Sequence, residues 1–147
     1  MTEVKLYGQF KKYLPIELDV KRVENKVSKS FPDVYLRHMN GKHFWVENKI
    51  ANPNEKIKFE DGQVEFLNEH TKQFNGYALV LIATNEQFPD YYLLNCNNIP
   101  INLFFDLEKI QKTPEQLLEL SNKSDEKFID KYDNIKSVIK FIMNLCS

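Results

Sequence analysis

The residues with chemistry to offer are three histidines, two cysteines and a scatter of carboxylates. His38 and His43 stand close in sequence and His70 stands apart, but no HExxH spacing and no Cys/His cluster accompanies them. A zinc site legible in sequence needs one of those patterns, so all three read as structural or surface histidines. Cys96 is the one candidate nucleophile, because a catalytic cysteine requires only a histidine that is near in space. Its neighbours Asn95 and Asn97 bring no cation to favour the thiolate. Cys96 and Cys146, far apart and without a CxxC, read as free thiols of a reducing compartment. With four glycines in the chain a phosphate-cradling loop is hard to build, and GxSxG, P-loop and GxGxxG motifs are absent. The carboxylate pairs Glu60/Asp61 and Asp125/Glu126 fall in a turn and at a helix start, where they have ordinary structural explanations. No catalytic, metal-binding or cofactor-binding residue is assigned, and the expectation is a protein that is not an enzyme.

Binding is the remaining class of function, and charge is its first guide. The 147 residues carry a net charge of −1, and of 20 basic side chains only Arg22 and Arg37 are arginines. Arginine is the usual bidentate partner of phosphate and guanine, so no nucleic-acid partner is expected. Charge is unevenly spread. Residues 1–50 hold 10 basic and 6 acidic side chains, residues 51–110 hold 4 and 9, and residues 111–147 hold 6 of each. The acidic middle is either a solvated face or a surface that steers a basic protein partner. On the second reading the partner-binding candidates are Trp45, Glu60, Asp61, Glu65, Glu86, Asp90, Tyr91 and Tyr92. The aromatics among them would anchor an interface if exposed and would serve equally as core. No apolar run approaches the ~18–20 residues that cross a bilayer, and Met1 to Leu14 has no apolar segment of signal-peptide type. No membrane partner and a cytoplasmic location are the resulting expectations.

The elements that must position these residues are read from periodicity and punctuation. Length suits one domain over residues 1–147 with an ordinary core. Leu6, Phe10 and Leu14 fall at helical spacing, interrupted by Gly8 and Pro15. Asp19 can cap a helix with Val20, Val23 and Val27 on one side. Pro32, Asp33 and the terminal Asn40-Gly41 predict a short helix over 31–41. The sheet is expected to begin at Phe44-Trp45-Val46. Asp61-Gly62 predicts a hairpin that pairs Phe59 with Val64 and Ile57 with Phe66. The apolar run Tyr77 to Ala83 reads as a central strand covered on both faces. Tyr91 to Leu94 and Ile101 to Phe105 read as further strands. Thr113-Pro114-Glu115-Gln116 is a helix start of capping-box type. Ile135, Val138, Ile139, Ile142 and Met143 mark an amphipathic closing helix. The predicted class is α+β: N-terminal helices, a central, mostly antiparallel sheet of about five to six strands, and C-terminal helices.

Several of these stretches resemble the SUKH superfamily. They are Val23-Glu24-Asn25-Lys26-Val27, then Phe31-Pro32-Asp33-Val34-Tyr35-Leu36 and Asn40-Gly41. Farther on come Leu79 to Thr84, Asp90-Tyr91-Tyr92-Leu93-Leu94 and Ile99-Pro100-Ile101. The sequence departs from the pattern at Gln87-Phe88-Pro89-Asp90, at Lys42 and over the long segment Leu107 to Tyr132. The resemblance implies a non-enzymatic bacterial domain that binds and neutralises a cognate toxin, an immunity protein, without a cofactor. The alternative is a regulatory or scaffolding interaction domain with no toxin partner.

Overall fold

Leu6 and Phe10 stand one helical turn apart, and both are fully buried on α1, Glu3–Lys12. The Thr2 side chain caps that helix by accepting from the Lys5 amide. In the computed structural model, residues 1–23, 32–72 and 76–147 are described, apart from the side chains of His70 and Lys72. The later part of the helix predicted from Asp19, with Glu24 to Val27, therefore lies outside the described residues, as does Phe31. Its beginning is a strand, β1, Leu18–Arg22.

The predicted helix over 31–41 is also a strand. β2, Val34–His38, buries Val34 and Leu36 while Tyr35 and Arg37 alternate to the other face. That is period two, and it outweighs the helix punctuation around it. Asn40-Gly41 closes a hairpin instead of a helix. Gly41 has φ 94°, and the His38 amide donates to Lys42 O across the turn at 2.8 Å. β3, His43–Ile50, begins the next strand as predicted.

Asp61-Gly62 is a turn with Gly62 at φ 85°, but the hairpin is not formed. The turn leads into a helix, α2, Gln63–Lys72, with Val64 and Leu67 buried at i and i+3. Ile57 and Phe59 pack into the same core from an irregular strap. α2 is the crossover between β3 and β4, Tyr77–Ala83, which run parallel. β5, Tyr91–Asn95, returns antiparallel. The strand expected from Ile101 is a helix, α3, Ile101–Lys109, whose Phe104 and Leu107 are buried at i and i+3. α4, Pro114–Asn122, opens with the Thr113/Gln116 capping box that the sequence predicts. β6, Ile129–Tyr132, and α5, Ile135–Leu145, complete the chain.

The strands order as β1-β2-β3-β4-β5-β6, and all pairings but β3–β4 are antiparallel. The fold is α+β, with the mostly antiparallel sheet expected. β4 is central and buried on both faces. Leu79, Leu81 and Ala83 meet α1 and α5, while Ala78, Val80 and Ile82 meet α2, α3 and α4. No helix among the described residues is long and apolar enough to cross a membrane.

Candidate active site at the end of β2 and β3

Alternation along β3 places Phe44 and Val46 in the core under α1, and so turns Glu47 and Lys49 toward α2. Glu47 is 3% exposed. A buried carboxylate is costly unless paired or coordinating, so its surroundings decide what it is for. One oxygen, Oε1, is 3.5 Å from Lys49 Nζ. The other, Oε2, is buried without a hydrogen-bond partner. The β2–β3 register, Val34 opposite Val46, brings Asp33 opposite Glu47 one step beyond the last paired residues. Asp33 is fixed there by the Asn48 amide, which donates to its Oδ2 at 3.1 Å. Burial, then the negative charge of Asp33, push the Glu47 carboxyl up to about 8; Lys49 pulls it the other way, and a hydrogen bond shared with Asp33, in which protonated Glu47 donates, adds to the rise.

Lys49 is held from two sides. Its Nζ donates to Gln63 Oε1 at 3.0 Å. The same oxygen accepts from the Glu60 amide at 2.8 Å, so the first turn of α2 sets where the ammonium stands. Lys49 Nζ also lies 5.2 Å from the Phe59 ring centroid. Glu3, at the start of α1, is the rim of the cluster. Burial raises its carboxyl first and Asp33 second, against Lys49 and Arg22. An open groove of about 630 Å³ runs from Glu3 and Lys49 along the strap that carries Lys56 and Lys58.

Among the described residues, no three His, Cys, Asp or Glu side chains converge as a ready-made metal cage. Two carboxyl groups facing each other, one buried and one half-buried, and able to share a proton, are instead half of a hard-cation site. Mg²⁺ is commonly held this way, by one or two carboxylates with the remaining positions left to water and substrate phosphate. Asp33 and Glu47 therefore fit an oxygen-seeking divalent ion.

Sequence reasoning took Asp33 for a helix-start carboxylate and passed over Glu47 and Lys49. The signal was there: Pro32-Asp33, and then Glu47-Asn48-Lys49 continuing a strand already recognised at Phe44-Trp45-Val46. Extending that strand by three residues puts a carboxylate and an ammonium on the Trp45 face, beneath α2. That is the kind of burial a sequence keeps for a purpose.

The residues proposed for partner binding fall elsewhere. Trp45 is half-buried on β3, its ring 4.9 Å from Tyr35 and 5.5 Å from Phe66. Glu60 and Asp61 are exposed at the turn before α2, Glu65 is exposed on α2, and Glu86 is exposed in the β4–β5 loop. Only Glu60 borders the groove beside the cluster. Asp90 is within 3.7 Å of Lys131. Tyr91 and Tyr92 are 5% and 0% exposed, so neither ring is available to a partner. The Tyr91 hydroxyl donates to Gln9 and the Tyr92 hydroxyl to Glu115. Cys96 is 1% exposed, and burial pushes its thiol far up, away from nucleophilic use.

No protein-family model matches the chain, and no curated protein matches it. Among solved structures it is similar to a Holliday junction resolvase, Hjc, from the hyperthermophilic archaeon Archaeoglobus fulgidus. Identity is 18%, coverage is 99% of this chain and 97% of that one, and the TM-score is 0.46. The expectation of a toxin-immunity module, not an enzyme and without a nucleic-acid partner, is corrected against this neighbour and carried no further. At that TM-score the likeness assigns no chemistry to this chain.

Proposed function

We propose that the chain is a divalent-cation-dependent phosphodiesterase acting on nucleic acid. The observation that carries this reading is Glu47: a carboxyl buried to 3% exposure, opposite the second carboxyl of Asp33 and 3.5 Å from Lys49. Asp33 and Glu47 would hold the ion, Glu47 in its deprotonated form. When bound, such an ion polarises a phosphoryl oxygen and acidifies a water. Lys49 is a compact, strongly hydrated point charge of the kind that binds phosphate. Gln63 and Glu47 fix its Nζ beside the carboxylates, where negative charge grows on the phosphoryl oxygens during hydrolysis. A preorganised cation at that place stabilises the transition state without reorganisation. Lys56 and Lys58, exposed along the adjoining groove, supply contacts for flanking phosphates.

The test is cleavage of labelled single-stranded, duplex and branched DNA and RNA by the full chain, with Mg²⁺ or Mn²⁺ and with EDTA. Cleavage should require the cation and fall about 10²-fold or more in Asp33→Asn, Glu47→Gln and Lys49→Met, the loss typical of a removed electrostatic stabiliser. Calorimetry should show Mn²⁺ binding that Glu47→Gln abolishes. Absence of both cleavage and Mn²⁺ binding in the wild-type chain would overturn the reading.

A further inference from the structure

A second concavity, about 770 Å³, lies between the C-terminal end of α1, the β4–β5 loop and the start of α5. Six of its lining residues matter: Gln9, Lys12, Tyr13, Phe88, Asp133 and Lys136. Phe88 is 83% exposed and borders the open cavity with little to cover it, whereas Tyr13 beside it is 38% exposed. Lys12 and Lys136, from different helices, bring their ammonium groups to 5.4 and 5.2 Å from the same Tyr13 ring. The two ammonium groups give this edge of the cavity positive charge that an anion can meet, with Asp133 farther along the lining. Asp90, also in the lining, is already faced by Lys131 at 3.7 Å. Gln9 accepts from Tyr91 through Oε1, which leaves its amide NH₂ to donate.

The ligand these groups describe has a flat ring, an anion beside it and polar atoms that both donate and accept. The geometry points to this cavity as the binding site for an unpaired nucleotide of a nucleic-acid strand. The base stacks on Phe88, its phosphate meets Lys12 and Lys136 where they stand over Tyr13, and its polar edge meets Gln9 and Asp133. This rests on the nucleic-acid reading above and adds to it. α1 links the two places, with Glu3 at the cluster and Lys12 at the cavity. A ten-residue helix spans about 15 Å, a reach of a few nucleotides. The substrate class implied is a strand with single-stranded character beside the bond that is cut.

Binding is read apart from cleavage, by anisotropy of a labelled ten-nucleotide oligothymidylate with the full chain in EDTA. Phe88→Ala should weaken binding about ten-fold, consistent with loss of one stacked base, and Lys12→Ala/Lys136→Ala should weaken it and flatten its salt dependence. Phe88 is so exposed that its removal should leave the circular dichroism spectrum unchanged, and Phe88→Trp should restore affinity. Equal binding by Phe88→Ala and wild type, no binding by wild type, or a blunt duplex bound as tightly as the single strand would overturn the proposal. So would thymidine monophosphate competing as well as the oligonucleotide, which would make the site one for free nucleotides. Phe88-dependent binding without cation-dependent cleavage would sink the phosphodiesterase reading alone. Cleavage without any effect of Phe88 on binding would sink this site alone.

Discussion

Glu47 concentrates the conflict between folding and function. Its carboxyl is raised from 4.5 to about 8, chiefly by burial and then by Asp33. A group whose pKa is higher in the folded chain binds its proton there when the unfolded chain has lost it. Stability of the metal-free protein therefore falls as pH climbs from about 4.5 to 8, and the loss is complete above that window. The shift corresponds to about 3–5 kcal/mol at its largest. Glu47→Gln keeps the shape and removes the titration, so in EDTA its urea midpoint should exceed the wild-type value increasingly between pH 5 and 9. Mn²⁺ at pH 8 should reverse the order, since an ion that binds only the folded wild type stabilises it by mass action. Parallel pH profiles for the two proteins would show that Glu47 is not the group that titrates. The same substitution should thus stabilise the chain and silence it, the trade expected of a residue kept for chemistry.

At the scale of elements, short anchors hold the later part of the sheet. Ser121 on α4 is 1% exposed, and its Oγ accepts from the Phe128 and Ile129 amides at 2.9 and 3.2 Å. It thereby fixes the chain entering β6. Ser121→Ala leaves two buried donors unmet, at a cost of about 2–4 kcal/mol, and chemical denaturation should show it. Thr113→Ala breaks the capping box and should cost less, about 1 kcal/mol. The capping box was legible in sequence because it is local: Thr113, Pro114 and Gln116 contain the whole signal. The sheet was legible at Tyr77 to Ala83, where length and continuous apolarity admit little else. Elsewhere the local signals were ambiguous. Ile101 to Phe105 is a short apolar run, which periodicity alone cannot divide between strand and helix, and only the burial of Phe104 with Leu107 decides it. Asn40-Gly41 and Asp61-Gly62 were recognised as turns, but a turn does not name the elements it joins. The candidate site was harder still. Asp33 and Glu47 are fourteen residues apart, and only strand pairing makes them neighbours.

At the scale of the whole molecule, one sheet separates two cores and also couples them. Residues of β4 alternate between the α1/α5 side and the α2/α3/α4 side, so neither layer can loosen without disturbing the strand that both share. The chain should then unfold as one unit despite its two cores. Ile142 on α5 and Leu117 on α4 are both fully buried, one in each core. Ile142→Ala and Leu117→Ala should each cost about 2–5 kcal/mol, and with no shared partners their costs should add in the double variant. Trp45, the single tryptophan, packs on Phe66 of α2 and reports the α2 side. Its fluorescence should nevertheless shift in Ile142→Ala, on the opposite side, by the same amount as the circular dichroism transition, because coincident probes are the mark of two-state unfolding. A tryptophan transition left in place while the helical signal moves would mean that the cores melt separately. The candidate active site, built on the strand ends between them, would then survive damage to the α1/α5 layer except through Glu3.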